Sequence, residues 1–168
     1  LALTRQLFPL DSEAKRPGWK LVAKDKLRRT STLTFGVIGL GRIGTATALR
    51  AKALGFRVVF YDPHLPNGVH KAVGIERTDS LAKLLKQSDV VSIHCPLSDE
   101  THYLIAEEEL AQMKPTAYLV NTARGGIVKK KAVLAARLRA AHAPGAATAR
   151  RPTAPCAWTP TLACCVLW

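Results

Sequence analysis

The sequence predicts an α/β fold, a doubly wound parallel sheet. Two observations carry this expectation. Four short apolar runs of strand type alternate with stretches of helical periodicity between residues 33 and 120, and the residues unusual for a core follow directly after each run. Strand–helix–strand alternation implies parallel strands joined by right-handed crossovers. In an open sheet of that kind, ligands bind at the carboxyl ends of the strands. A chain of 168 residues suits one domain.

The elements follow in order. Leu33–Gly39 is a short apolar run expected as a buried strand. Arg42–Leu54 is a helix with Ile43, Ala46, Leu49, Ala53 and Leu54 on its inner face and Gly55 as its stop. Val58–Tyr61 is a second β-branched and aromatic run, and a weak further strand is expected near Ala72–Ile75. Thr78-Asp79-Ser80 caps a helix that turns Leu81, Leu84 and Leu85 inward and closes at Asp89. Val90–Ile93 is the third clear strand. Glu107-Glu108-Glu109 opens a helix with carboxylates at the positive end of its dipole, and Met113 and Pro115 end it. Ala117–Val120 is the fourth strand.

Composition bounds the function classes. The chain is 48% hydrophobic and 22% charged, which excludes a disordered polyelectrolyte. No apolar run spans a bilayer, and Leu1–Arg5 lacks the charged start and apolar core of a signal peptide. Four cysteines with no CxxC pair, and no histidine pair at ligand spacing, predict neither a disulfide framework nor a metal site. A cytoplasmic protein without a membrane partner is expected. The net charge of +13 is unevenly spread: residues 1–109 carry +4, whereas residues 110–168 hold nine Lys and Arg and no acid, for +9. Such a charge ordinarily suggests nucleic acid. No helix-turn-helix, aromatic platform or zinc knuckle supports that partner, so none is expected.

Four segments converge on the strand ends. Gly39, Gly41 and Gly44 form G-x-G-x-x-G between a strand and a helix, the context that separates a dinucleotide site from an ordinary turn. Gly39 permits the tight turn, Gly41 lets a pyrophosphate approach the backbone, and Gly44 lets helix and strand pack closely. The helix N-terminus then faces the phosphates. Asp62 lies 18 residues after Gly44. It is either the acceptor for the adenosine ribose hydroxyls, which would repel the 2′-phosphate of NADP and favour NAD, or a plain Asp-Pro turn. Arg57 and His64 nearby would soften that choice. Arg124, between Thr122 and two glycines, is either a solvated loop residue or a cation able to hold a substrate carboxylate in a bidentate fork. His94 and Cys95 are neighbours at a strand end and point to opposite faces, which argues against a Cys–His nucleophile. Cys95 is expected along the crevice wall, with Thr101 near it.

These motifs resemble a known family. Gly-Val-Ile-Gly-Leu-Gly-Arg-Ile-Gly (36–44), Tyr-Asp-Pro (61–63), His-Cys-Pro-Leu-Ser-Asp-Glu-Thr (94–101), Met-Lys-Pro (113–115) and Asn-Thr-Ala-Arg-Gly-Gly (121–126) are similar to the D-isomer-specific 2-hydroxyacid dehydrogenases. The stretch 49–68 is most similar to the branch containing the C-terminal-binding protein corepressors. The resemblance implies a Rossmann-like domain, NAD as cofactor, a small 2-hydroxy or 2-oxo acid as substrate, hydride transfer between the two, and a homodimer. An NAD(H)-sensing corepressor without robust catalysis, which would place the protein in the nucleus as well, is the alternative. Carried over by residue, Arg42 and Ile43 meet the pyrophosphate, and Tyr61, Asp62 and Pro63 the ribose. Cys95, Pro96, Leu97 and Thr101 lie along the cofactor. Thr122, Ala123 and Arg124 contact its nicotinamide half, and Arg124 also grips the substrate.

The resemblance covers roughly Leu1 to Val128. Residues 1–33 are expected to be the end of a hinge helix with a connecting loop, 34–128 the NAD-binding domain, and 129–168 a divergent basic tail. Lys129-Lys130-Lys131 replaces an acidic helix start, no glutamate follows residue 109, and Thr159-Pro160-Thr161 lacks the histidine of the family's Thr-Pro-His. The family's catalytic Glu and His thus have no counterpart, and its first substrate-domain half is expected before Leu1. The expected fold is a truncated sheet with an irregular C-terminal tail, read as an out-of-frame or aberrantly spliced continuation, and little or no turnover by this chain alone is expected. Sequencing the transcript across codons 125–150 tests the frame; an uninterrupted frame in independent clones would overturn it.

Overall fold

A computed structural model of the chain describes residues 1–18, 27–66, 68–141 and 163–166. In chain order these form α1 (Leu7–Ala14), β1 (Thr34–Ile38), α2 (Arg42–Ala53), β2 (Arg57–Tyr61), α3 (Val69–Val73), β3 (Glu76–Arg77) and α4 (Leu81–Gln87). They continue with β4 (Val90–Ile93), α5 (Glu107–Gln112), β5 (Tyr118–Asn121), α6 (Lys130–Ala141) and β6 (Ala163–Val166).

All strands are parallel and lie in the order β3-β2-β1-β4-β5-β6. The chain winds outward from β1 in one direction and then restarts at β4 in the other. The expected doubly wound sheet is therefore present, and its switch point lies between β1 and β4, where Ile38 pairs with Ile93. Neighbouring β1 residues serve opposite faces. Val37 joins the cluster that contains Ala48 and Ala51 of α2, and Ile38 joins the one that contains Leu84 and Leu85 of α4 and Leu110 of α5. Strands buried on both faces require continuous apolar runs, which is why Val58-Val59-Phe60 and Val90-Val91 carry no polar interruption.

Helix starts follow their side chains. The Ser80 hydroxyl accepts the Lys83 N–H at 3.2 Å, capping α4. The Glu109 carboxylate reaches back to the Ala106 N–H at 3.0 Å, closing the first turn of α5.

Two expectations are corrected. The helix after the glycine turn does not bury Ile43, Leu49 and Leu54, which are 69%, 43% and 48% exposed. Its buried residues are Gly44, Ala48 and Ala51, because the small stripe lets the α2 backbone lie close on the sheet. The weak strand near Ala72–Ile75 is α3 followed by the two-residue β3, with Ile75 buried between them. After Val128 the chain continues into α6, in which Ala132 is fully buried. Its Lys, Ala, Leu and Arg residues are strong helix formers, and no proline intervenes before residue 144. In the C-terminal region the described residues 163–166 form β6. Ala163–Val166 pairs in parallel with β5, from Tyr118↔Ala163 to Asn121↔Val166, as an uncharged apolar run can at a sheet edge.

Candidate functional site

The carboxyl ends of β1, β2 and β4 open onto one crevice, and Thr122, Ala123 and Arg124 after β5 do not line it. A cavity of about 460 Å³ lies there, walled by Gly39 and Gly41 after β1, Tyr61, Asp62 and Pro63 at the end of β2, and Cys95, Pro96 and Thr101 after β4. A second, more open hollow of about 660 Å³ adjoins the start of α2 and is lined by Gly41, Arg42, Ile43, Ala46, Thr47 and Arg50. His94 borders both.

The three motif glycines are glycine for three different reasons. Gly39 has φ +86°, and a Cβ there would meet the Cys95 backbone N at 2.9 Å. At Gly44 a Cβ would fall on the Gly39 carbonyl oxygen. Gly41 is at φ −73°, ψ −164°, extended backbone open to any residue, and a Cβ there would meet no protein atom within 4 Å. Neither conformation nor packing asks for glycine at 41. The space it leaves lies at the N-terminus of α2, whose first turn has no side-chain cap. The orphan N–H groups of that turn and the positive end of the helix dipole suit a pyrophosphate.

Asp62 is held in place by backbone donors. Its Oδ2 accepts the Leu40 N–H at 2.8 Å and its Oδ1 the His64 N–H at 3.0 Å. Each oxygen retains a lone pair for a ribose hydroxyl. Arg57 plays no part here: it starts β2 while Asp62 follows its end, roughly 16 Å away at strand rise, and it pairs with Glu76 at 2.6 Å. A basic residue the sequence did not single out replaces it. Arg77, at the end of β3, donates from Nη2 to the Asp62 carbonyl at 3.0 Å. Its signal was available only through β3 pairing with β2, Phe60 opposite Arg77.

The loop after β4 is tied by Thr101. Its hydroxyl donates to the Pro96 carbonyl at 2.6 Å and accepts the Ser98 N–H at 2.8 Å. Leu97 is not part of the 460 Å³ cavity. It packs at the β5 end, where a Cβ on Gly126 would sit 3.2 Å from it. Cys95 is half-buried, and burial pushes its thiol up, with Asp62 adding in the same direction against an opposing backbone hydrogen bond. A neutral thiol is a poor nucleophile. Burial pushes His94 down, and its Nε2 lies 2.9 Å from the Ser92 hydroxyl, not toward Cys95.

After β5, Thr122 and Arg124 are exposed and Ala123 is half-buried. Arg124 Nη1 donates to the Ala123 carbonyl at 2.9 Å, which leaves its other N–H groups available to a carboxylate. This loop is shaped by Asn121, 1% exposed, which the sequence reading treated only as part of a motif. Asn121 Oδ1 accepts the Ala123 N–H at 3.0 Å and its Nδ2 donates to the Arg124 carbonyl at 2.8 Å. Both amide groups of one buried side chain thus hold the two residues that present the guanidinium.

Among the described residues no group of His, Cys, Asp and Glu forms a metal site, and no helix is long and apolar enough to cross a membrane.

Comparison with known proteins agrees with this geometry. The family described as D-isomer specific 2-hydroxyacid dehydrogenase, NAD binding domain, matches residues 1–150. The glyoxylate reductase of Korarchaeum cryptofilum is 40% identical over 136 residues, 79% of this chain and 41% of that protein. The D-3-phosphoglycerate dehydrogenase of Methanocaldococcus jannaschii is 44% identical over 100 residues, 60% of this chain and 19% of that protein. D-lactate dehydrogenase from Aquifex aeolicus, solved with NAD and lactic acid, superposes with a TM-score of 0.76 at 38% identity, covering 83% of this chain and 41% of the other. The holo form of Rhodotorula graminis D-mandelate dehydrogenase gives 0.74 at 33% identity, covering 83% and 43%. The chain therefore spans about two-fifths or less of the length of these relatives.

Proposed function

The chain belongs to the D-isomer specific 2-hydroxyacid dehydrogenase family through its NAD-binding domain, and from that premise we propose that it forms the cofactor half of a cytoplasmic oxidoreductase that moves a hydride between NAD and a small 2-hydroxy or 2-oxo acid. The observation that carries this reading is Gly41, a glycine that the protein's own packing does not require, placed where a pyrophosphate would meet an uncapped helix start.

The residues divide the work as follows. Gly41, Arg42 and Ile43 hold the pyrophosphate, and Tyr61, Asp62 and Pro63 the adenosine ribose. Cys95, Pro96 and Thr101 wall the crevice, and Leu97 stands beside it against Gly126 of the loop after β5. Thr122 and Ala123 face the nicotinamide, and Arg124 binds the substrate carboxylate while polarising the neighbouring carbonyl. NAD, when bound, supplies the hydride acceptor. The hydroxyl proton also needs a base. No acid follows Glu109 in the sequence, so no carboxylate of that region can serve.

Calorimetric titration with NADH and NADPH tests the reading. NADH is expected to bind, and more tightly than NADPH, with no oxidation when glyoxylate or hydroxypyruvate is added. A chain that binds neither nucleotide removes the reading, and robust turnover removes the expectation that this chain lacks the base.

We further propose a homodimer formed through the N-terminal segment and α2. Leu1, Leu7 and Phe8 of that segment and Leu49 and Leu54 of the helix region expose between 43% and 64% of their surface, and Leu1 and Leu54 line one hollow together. Sedimentation equilibrium is expected to give twice the chain mass, with Phe8→Glu shifting it to the monomer. A monomer at every concentration would exclude it.

A further inference from the structure

We propose that Glu100 is a specificity-determining residue for the dinucleotide: by holding His64 across the mouth of the crevice, it withholds a hydrogen-bond donor from the 2′ position of the adenosine ribose and strengthens the choice of NAD over NADP. The inference rests on the assignment of the 460 Å³ cavity to NAD.

Asp62 alone is an incomplete filter. Its carboxylate repels a 2′-phosphate, but the residue beside it is basic. His64 follows two positions later and its backbone N–H is already bonded to Asp62 Oδ1 at 3.0 Å, so the histidine is fixed next to the ribose-binding oxygens. An imidazole in that position can donate a hydrogen bond to a phosphate and, once protonated, pair with its charge. Arg77 stands on the same side, with Nη2 on the Asp62 carbonyl. A phosphate approaching this corner would meet an imidazole donor as well as one carboxylate.

Glu100 alters that balance. Its Oε2 lies 3.2 Å from His64 Nε2. The two residues come from different loops, those after β2 and β4, and both border the cavity. The pair occupies the ring nitrogen that would otherwise face a phosphate, and it brings a second negative charge to the ribose corner. Ribose hydroxyls tolerate both carboxylates, since each can accept a hydrogen bond; a 2′-phosphate is repelled by both. Both side chains are about three-quarters exposed, 76% and 74%, so the effect is one of modest size.

The test measures Kd for NADH and NADPH on the full chain. Glu100→Gln is expected to lower the NADPH-to-NADH Kd ratio about fivefold, the size of an exposed charge interaction. Glu108→Gln, which removes the same charge from the exposed start of α5, is expected to leave the ratio unchanged. On a His64→Gln background, Glu100→Gln is expected to move the ratio less than about twofold, because coupled residues are not additive. The proposal is overturned if Glu100→Gln leaves the ratio where it was, if Glu108→Gln moves it equally, or if the full gain persists without His64. A wild-type chain that binds neither nucleotide overturns the assignment of the cavity and this proposal with it. NADH binding with an unmoved ratio overturns this proposal alone.

Discussion

Gly44→Ala is expected to destabilise the fold and weaken NADH binding at least tenfold, whereas Gly41→Ala is expected to weaken binding with no loss of stability. The asymmetry follows from what each missing methyl would touch. At Gly44 it would fall on the Gly39 carbonyl oxygen, a backbone atom that cannot swing away like a side chain. Gly39 has little room to retreat, because it holds φ +86° and its own Cβ direction is closed by the Cys95 backbone at 2.9 and 3.0 Å. The turn and the start of α2 must therefore separate. Overpacking of this kind costs about 1–3 kcal/mol, and it moves the N–H groups that would meet the pyrophosphate. At Gly41 the methyl enters space that no protein atom fills. Urea midpoints and NADH fluorescence titrations on the two variants check the contrast. A Gly41→Ala chain that binds NADH as the wild type does would show that the space belongs to no ligand.

The sheet was legible because its signal is repeated. Each strand of β1, β2, β4 and β5 is mostly apolar, and each is followed by a helix of different period, so the order of the elements and their parallel pairing follow together. What stayed hidden depends on size and on pairing. The inner face of α2 was read from its largest apolar residues, yet the stripe that packs is Gly44, Ala48 and Ala51. Helix-to-sheet distance rewards small side chains there, and Ile43, Leu49 and Leu54 are left outward. β3 is two residues long and carries Glu76 and Arg77, so no hydrophobic period marks it. With it Arg77 was missed, although it reaches Asp62. The chemistry-bearing loops stood out because glycine, proline, histidine and arginine are rare just after a buried strand. Asn121 did not, because its work is to bond two backbone groups of the following loop, and only the folded turn brings those groups to it.

Asp89→Ala is expected to cost about 1–3 kcal/mol, the scale of leaving the buried Thr34 N–H without its acceptor, since the Arg28 and Lys114 left behind are 50% and 34% exposed. Asp89 was read from sequence as the close of a helix, but its side chain is 5% exposed and joins three segments at the amino end of the sheet, opposite the crevice. Oδ2 accepts the Thr34 N–H at 2.9 Å at the start of β1 and lies 3.1 Å from Lys114 Nζ before β5. Oδ1 accepts from Arg28 Nη1 at 2.8 Å. Its own backbone bonds Thr34 and Tyr118, so β1, β4 and β5 begin in register around one carboxylate.

That network also sets a pH dependence. Burial by itself raises the Asp89 carboxyl, but the Thr34 N–H, the Lys114 ammonium and the Arg28 guanidinium outweigh it and hold it below the ordinary value. A carboxyl lowered in the folded state stabilises the protein in full above its unfolded pKa, about 3.9. That contribution is lost as pH falls through the folded value, where the proton is taken up. Asp89→Asn keeps the shape and an acceptor for Thr34 while removing the titration. Urea midpoints for wild type and Asp89→Asn are therefore expected to differ most between pH 5 and 7 and to converge below about pH 4. A gap that stays constant down to pH 3 would show that the carboxylate charge contributes nothing. Because the network lies at the end of the strands away from Asp62 and Gly41, folded Asp89→Asn is expected to bind NADH as the wild type does. Stability and binding in this fold then separate along the length of the same strands: residues at their amino ends hold the sheet together, and residues at their carboxyl ends form the site.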